Sequence, residues 1–137
     1  MQPLLLDTCV LIFMNEKMPL AQGASDVLRA ANDAEEMTYI SPVSAWEIGM
    51  LAARGRLQLL VRPERWFANL FDARGVTLAE MSPDLLIASS YLPGEPPRDP
   101  FDRIIAATAR ELGATVITRD RALIEYGARG HLRVVEC

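Results

Sequence analysis

Four acidic side chains in this 137-residue chain stand where their surroundings make them unusual. Asp7 closes the apolar run Leu4 to Leu6. Glu47 is the only charge between Val43 and Ala53, and its neighbours at helical spacing are mostly apolar. Asp102 follows Asp99 in the stretch RDPFDRIIAATA and lies beside the apolar positions Ile105 and Ala106. Asp120 ends VITRD, again after an apolar run. A buried carboxylate must find a cation, a hydrogen-bond donor or a proton. Two carboxylates 4 Å apart repel by roughly 4 kcal/mol at an effective dielectric near 20, so four brought together need a cation. The single histidine, His131, and the two cysteines, Cys9 and Cys137, lack the spacing of a Cys/His metal site. Oxygen-only ligation selects Mg²⁺, with Mn²⁺ as a substitute, and such an ion favours phosphate as a further ligand. The chemistry indicated is hydrolysis of a phosphodiester.

Each acid also has a plainer reading. Asp7 and Asp120 are suitable N-caps for the segments that follow them, and Glu47 could face water. Asp99 and Asp102 occupy the N-cap and third positions of a helix whose first residue is Pro100, where both charges favour the helix dipole. We divide this pair: Asp99 caps, and Asp102 points into the site.

What would bring these residues together is the alternation of short apolar runs with helical patterns. Leu4 to Leu6, Met37 to Ile40, Val76 to Ala79, Ala114 to Thr118 and Leu132 to Val135 read as strands. Helices are expected over Leu20 to Asn32, Ser41 to Arg54, Pro63 to Arg74, Ser82 to Tyr91, Asp99 to Leu112 and Arg121 to Tyr126. Serine-proline pairs start two of them, at 41–42 and 82–83, and glycines at 55 and 75 stop two. Strands alternating with helices predict one α/β domain over residues 1–137, with a central parallel sheet of about five strands and helices on both faces. Acids at strand carboxyl ends then share one edge of that sheet.

Half the residues are apolar, which suits a packed core rather than disorder. The net charge of −4 argues against non-specific nucleic-acid binding by the whole surface. Thirteen of the fourteen basic residues are arginine, a residue suited to gripping phosphate. The start MQPLLLDTCVLIF has no basic flank and carries Asp7, so neither a signal peptide nor a membrane span is expected, and a cytoplasmic location is.

LLLDTCVL, SPVSAWEIGMLAARGRL, RDPFDRIIAATARELGATVITRD and the terminal HLRVVEC together resemble the PIN-domain family, and within it the VapC branch of ribonuclease toxins from type II toxin–antitoxin pairs. The resemblance runs through almost the whole chain, in order. It implies a compact α/β fold and an acidic pocket holding Mg²⁺ or Mn²⁺. It further implies endonucleolytic cleavage of RNA by a metal-activated water, leaving 5′-phosphate and 3′-hydroxyl ends. The family's acids map onto Asp7, Glu47, Asp102 and the more variable Asp120. The resemblance implies for Asp99 an assisting place outside the metal shell, and Thr8 and Thr118 match positions that often carry hydroxyls near the metal. A histidine that many relatives carry before the Asp-Pro-Phe-Asp motif is absent from GEPPRDP, so no such role is transferred. The implied partners are RNA, a VapB-type antitoxin that blocks the pocket, and a second copy of the chain in a homodimer or larger toxin–antitoxin assembly. Residues near Trp46, Trp66 and Phe67 are candidates for that contact. Arg54, Arg56, Arg103 and Arg119 are candidate RNA contacts, against the plainer reading of a solvated face; Arg62, Arg65, Arg98 and Arg121 lie near them. The rival readings are a PIN nuclease of RNA processing outside any toxin pair, and a PIN-fold interaction module without catalysis. A phosphotransferase is disfavoured, because it would need a strand-end Asp-x-Asp and a lysine, whereas the motif here is DTC and the one lysine, Lys17, is poorly placed.

Overall fold

A computed structural model describes residues 2–137. Five short strands form one sheet: β1 (Leu4–Leu6), β2 (Thr38–Ile40), β3 (Val76–Leu78), β4 (Thr115–Thr118) and β5 (Arg133–Glu136). All neighbours are parallel, in the order β3-β2-β1-β4-β5. The central strands β1 and β4 are buried on both sides, as strands of parallel sheets generally are, while the edge strands β3 and β5 are partly exposed and carry polar residues. Alternation within β1 and β4 separates two cores. Leu5 and Val116 point to one face, where Ile105, Ala106 and Ala109 pack with Leu123 and Tyr126. Leu4, Leu6 and Ile117 point to the other, against Val10, Leu11, Ala24 and Ala31. Each fully buried leucine of this kind contributes about 1.5–3 kcal/mol.

Seven α-helices connect the strands: α1 (Thr8–Asn15), α2 (Gln22–Asp33), α3 (Pro42–Ala53), α4 (Pro63–Asn69), α5 (Pro83–Ala88), α6 (Pro100–Leu112) and α7 (Arg121–Ala128). Both serine-proline starts are real caps. Ser41 accepts from the Val43 N–H at 3.1 Å, and Ser82 from Leu85 at 3.1 Å. Gly113, at φ 63°, ends α6 in the left-handed conformation that a side chain would disfavour. One helix was not anticipated, and two expectations need correction. The segment after Asp7 is a full helix, α1; its run of Cys-Val-Leu-Ile-Phe has no polar face to reveal a period. The helix from Pro63 ends at Asn69 and tightens into a 3-10 turn over Leu70–Asp72. The helix from Pro83 ends at Ala88 rather than Tyr91. Among the described residues no helix is long and apolar enough to cross a membrane.

The strand order places a topological switch between β1 and β4, since the chain winds outward through β2 and β3 and then resumes on the other side of β1. Connections leave in opposite directions there, which opens a crevice at the carboxyl ends of the two strands. Asp7 directly follows β1, and Thr118 ends β4.

One packing contact gives a test independent of that crevice. A Cβ at Gly127 of α7 would lie 2.7 Å from Cγ2 and 3.1 Å from Cβ of Val134, a stiff branched side chain. Alanine should gain about 1 kcal/mol over glycine in a helix, but here it meets overpacking of about 1–3 kcal/mol. Gly127→Ala is therefore expected to lower stability in the wild-type chain and to lower it less in a Val134→Ala background, where the 2.7 Å contact is gone and the 3.1 Å contact remains, measured by urea unfolding of the four-member cycle.

Candidate metal centre

The crevice holds a cavity of about 340 Å³ lined by Asp7, Thr8, Cys9, Phe13, Glu47, Asp99, Asp102, Arg119 and Asp120. Each acid reaches it from a different local device. Asp7 caps α1 and accepts from the Thr8 N–H at 2.8 Å. Asp99 caps α6 and accepts from the Phe101 N–H at 2.7 Å. Asp120 caps α7 and accepts from the Leu123 N–H at 3.1 Å. Three of the five carboxylates therefore sit at helix N-termini, where the positive dipole end offsets each by about 0.3–1 kcal/mol. Cap and cavity wall are one placement, so the plainer readings of these acids and the chemical ones are compatible. Asp102 sits within the first turn of α6, and Glu47 lies mid-helix on α3, half-buried.

Two buried threonines fix the geometry. The Thr118 hydroxyl donates to Asp7 Oδ2 at 2.6 Å and accepts from the Asp120 N–H at 2.9 Å, which locks the ends of β1 and β4 together. The Thr8 hydroxyl donates to Glu47 Oε1 at 2.6 Å, and its oxygen lies 2.9 Å from Ser44 Oγ, one turn earlier on α3. Glu47 thus has a partner, which answers the problem posed by a lone charge in an apolar stretch. Asp102 differs: among the described residues none donates a hydrogen bond to its carboxylate, although it is half-buried.

Burial and mutual repulsion govern the protonation of this set. Burial is the largest effect on Asp7 and raises its pKa; the bonds from Thr118 and Thr8 pull back, and Asp120 adds repulsion. Burial also raises Glu47, opposed by Thr8 and reinforced by Asp7, Asp99 and Asp120. Asp102 is pushed up to about 8 by burial and then by Asp120, Asp7, Asp99 and Glu47. Cys9 is pushed up to about 12 by burial and the Asp7 charge, so it stays a thiol, with Sγ 3.7 Å from Asp7 Oδ2.

Whether these residues suit a divalent cation is decided by donor type and charge. Five carboxylates face one cavity, and among the described residues no ion pair neutralises any of them. No group of three or more described His, Cys, Asp or Glu side chains is already arranged to hold an ion. Magnesium asks for no such cage: it retains several waters and is held through one or two carboxylates. The oxygen donors and excess charge therefore fit a hard, hydrated cation.

Of the other residues singled out above, Arg54 and Arg56 are exposed beyond α3, away from the cavity lining. Arg103 is half-buried and reaches the Ser89 carbonyl at 3.5 Å. Trp66 donates to Asn15 Oδ1 at 2.7 Å, Phe67 packs edge-on to Phe71, and Trp46 packs edge-on to Phe101 while remaining 59% exposed. Ser44, Cys9 and Phe13 went unrecognised as parts of the site. Only the serine lay in a distinctive motif, and the other two read as plain apolar positions of the first segment.

A model of the PIN domain matches residues 4–128. Ribonuclease VapC22 of Mycobacterium tuberculosis is 33% identical over 124 residues, 90% of this chain and 91% of that protein. A chain of VapBC2 from Rickettsia felis, crystallised with a DNA fragment from their promoter, superposes with a TM-score of 0.67 at 15% identity, covering 98% of each chain. A chain of FitAcB from Neisseria gonorrhoeae superposes with a TM-score of 0.52 at 18% identity, covering 96% of this chain and 95% of that one. At these identities the two superpositions speak to the fold.

The raised pKa values carry a pH dependence in metal-free protein. Folded Asp102 holds its proton up to about pH 8, whereas the unfolded carboxyl releases it near pH 4, so unfolding releases a proton between these limits. Its contribution is full below the unfolded value and is lost as pH rises through the folded one; Asp7 and Glu47 act in the same direction. In EDTA the melting temperature should fall from about pH 5 to about pH 8, and Asp102→Asn should flatten that fall. A variant that tracks the wild type across the range would contradict the assignment.

Proposed function

The chain belongs to the PIN-domain family, and from that membership we propose that it is the toxin of a type II toxin–antitoxin pair, a metal-dependent endoribonuclease held in check by a VapB-type antitoxin. The observation that carries this reading is the set of five carboxylates, drawn from separate parts of the chain, that line one cavity at the switch point of the sheet. The relative at 33% identity, named a ribonuclease, supports RNA as the substrate.

Asp7 and Asp102 would hold the principal Mg²⁺ or Mn²⁺, Glu47 and Asp120 would complete its surroundings, and Asp99 would act from outside. When bound, the ion supplies a water made acidic enough to attack phosphorus and offsets charge that develops on the phosphodiester. The protein's own part is orientation and charge. Thr118 aims Asp7, Thr8 aims Glu47, and the first turn of α6 presents Asp102. Asp102, whose pKa is raised first by burial and then by the neighbouring acids, would bind a cation in its ionised form, which the cation's charge would favour. Arg54, Arg56 and Arg103 remain candidates for RNA phosphates at a distance from the acids. An antitoxin side chain that offers a guanidinium to the acids would block the cavity through strong charge-assisted bonds. For self-association, Trp46 offers the most exposed aromatic surface of the three residues singled out.

The test is cleavage of a labelled transfer RNA mixture by purified protein in Mg²⁺. Asp7→Asn and Asp102→Asn are each expected to lower the rate roughly 10²-fold or more with an unchanged circular dichroism spectrum, a loss on the scale of removing one preorganised charge-stabilising group. EDTA should stop cleavage and Mn²⁺ restore it. Asp99→Asn should retain most activity, since asparagine caps as well as aspartate. Full activity in both Asp7→Asn and Asp102→Asn, or turnover in EDTA, would reject the proposal.

A further inference from the structure

Among the described residues one cation lines the acidic cavity, and it pairs with none of the acids. Arg119 follows β4 and is exposed, yet no ion pair to it forms among the described residues. Attraction toward five nearby carboxylates would draw a free guanidinium onto them. Three contacts hold the guanidinium elsewhere, two hydrogen bonds and one ring contact, and a fourth holds the Arg119 main chain. Its Nε and Nη2 both donate to the main-chain oxygen of Cys137, at 3.2 and 2.7 Å. Its Cζ lies 4.2 Å from the centroid of the Phe13 ring. Its main-chain N–H reaches Cys9 Sγ at 3.4 Å. These contacts use one edge and one face of the guanidinium. Among the described residues Nη1 has no acceptor, and Nη2 has only one.

We propose that Arg119 is a fixed anchor for a phosphate group of single-stranded RNA beside the acidic cavity. Phe13 and the Cys137 oxygen act as positioning groups that keep its charge off the acids. The inference rests on the nuclease reading and adds the means by which a polyanion approaches a negatively charged pocket. A planar guanidinium with an open donor edge matches two phosphate oxygens, and one already held in place loses little freedom on binding. The same restraint leaves the carboxylates available to a metal. Arg121, the next arginine along, does not line the cavity and serves as the control.

Two binding measurements test this, both with melting temperatures recorded. Fluorescein-labelled single-stranded RNA is titrated in EDTA against the Asp102→Asn chain, in which cleavage should be stopped. Adding Arg119→Met should weaken binding about tenfold, the scale of one hydrogen bond to a charged group. It should also reduce the slope of log affinity against log salt by about 0.7. Arg121→Met should change neither. Should Arg119→Met melt below the assay temperature, Arg119→Gln carries the same test. Separately, Mn²⁺ is titrated by calorimetry into chains with an intact Asp102. Phe13→Leu should weaken Mn²⁺ binding by freeing Arg119 to fall onto the acids, and Phe13→Leu/Arg119→Met should restore it, which simple loosening of α1 would not do. RNA affinity and salt slope unchanged by Arg119→Met would overturn the anchor alone. Absence of RNA binding to the Asp102→Asn chain, with no cleavage by wild type, would overturn the nuclease reading and the anchor with it.

Discussion

Like charges resist being gathered, and this chain gathers five at one edge of a sheet. The rest of the arrangement manages that repulsion. Caps place Asp7, Asp99 and Asp120 at the positive ends of α1, α6 and α7. Threonine hydroxyls tie down Asp7 and Glu47. Asp102, which receives no such bond among the described residues, is pushed up to about 8, first by burial and then by the neighbouring acids. A set held this way is stable when protonated and stable when a cation is present, and it is poorly suited to being fully ionised and empty.

The sheet supplies the rigidity that this requires. Leu5 and Val116 are fully buried on one face, and Leu4 and Ile117 are buried on the other. Thr118 then bridges the carboxyl ends of the two central strands by bonding both Asp7 and the Asp120 N–H. A packed core below and a hydroxyl clamp above leave the acids little room to move apart. The cation that could cancel them from within, Arg119, is held aside by Phe13 and Cys137.

Much of the fold was legible because its signals are local. Short, mostly apolar runs gave the strands, serine-proline pairs gave two helix starts, and Asp99 is the cap of α6 as its spacing suggested, although it lines the cavity together with Asp102. Helix α1 was not legible, since Thr8–Asn15 is apolar on nearly every side and has no period to read. The proximity of the acids followed from their places at strand ends and helix starts. The contacts that tune them did not. Thr8 and Glu47 are 39 residues apart, and Arg119 meets Phe13 and Cys137 only after β1, β4 and β5 have paired. Such pairs carry no mark in a single sequence.

The most direct measurement is calorimetric titration of Mg²⁺ into the wild-type chain at pH 7, repeated in two buffers of different ionisation enthalpy. Charge compensation at the cavity predicts ion binding coupled to net proton release, with the release reduced in Asp102→Asn. No binding, or binding that releases no protons in either chain, would contradict it.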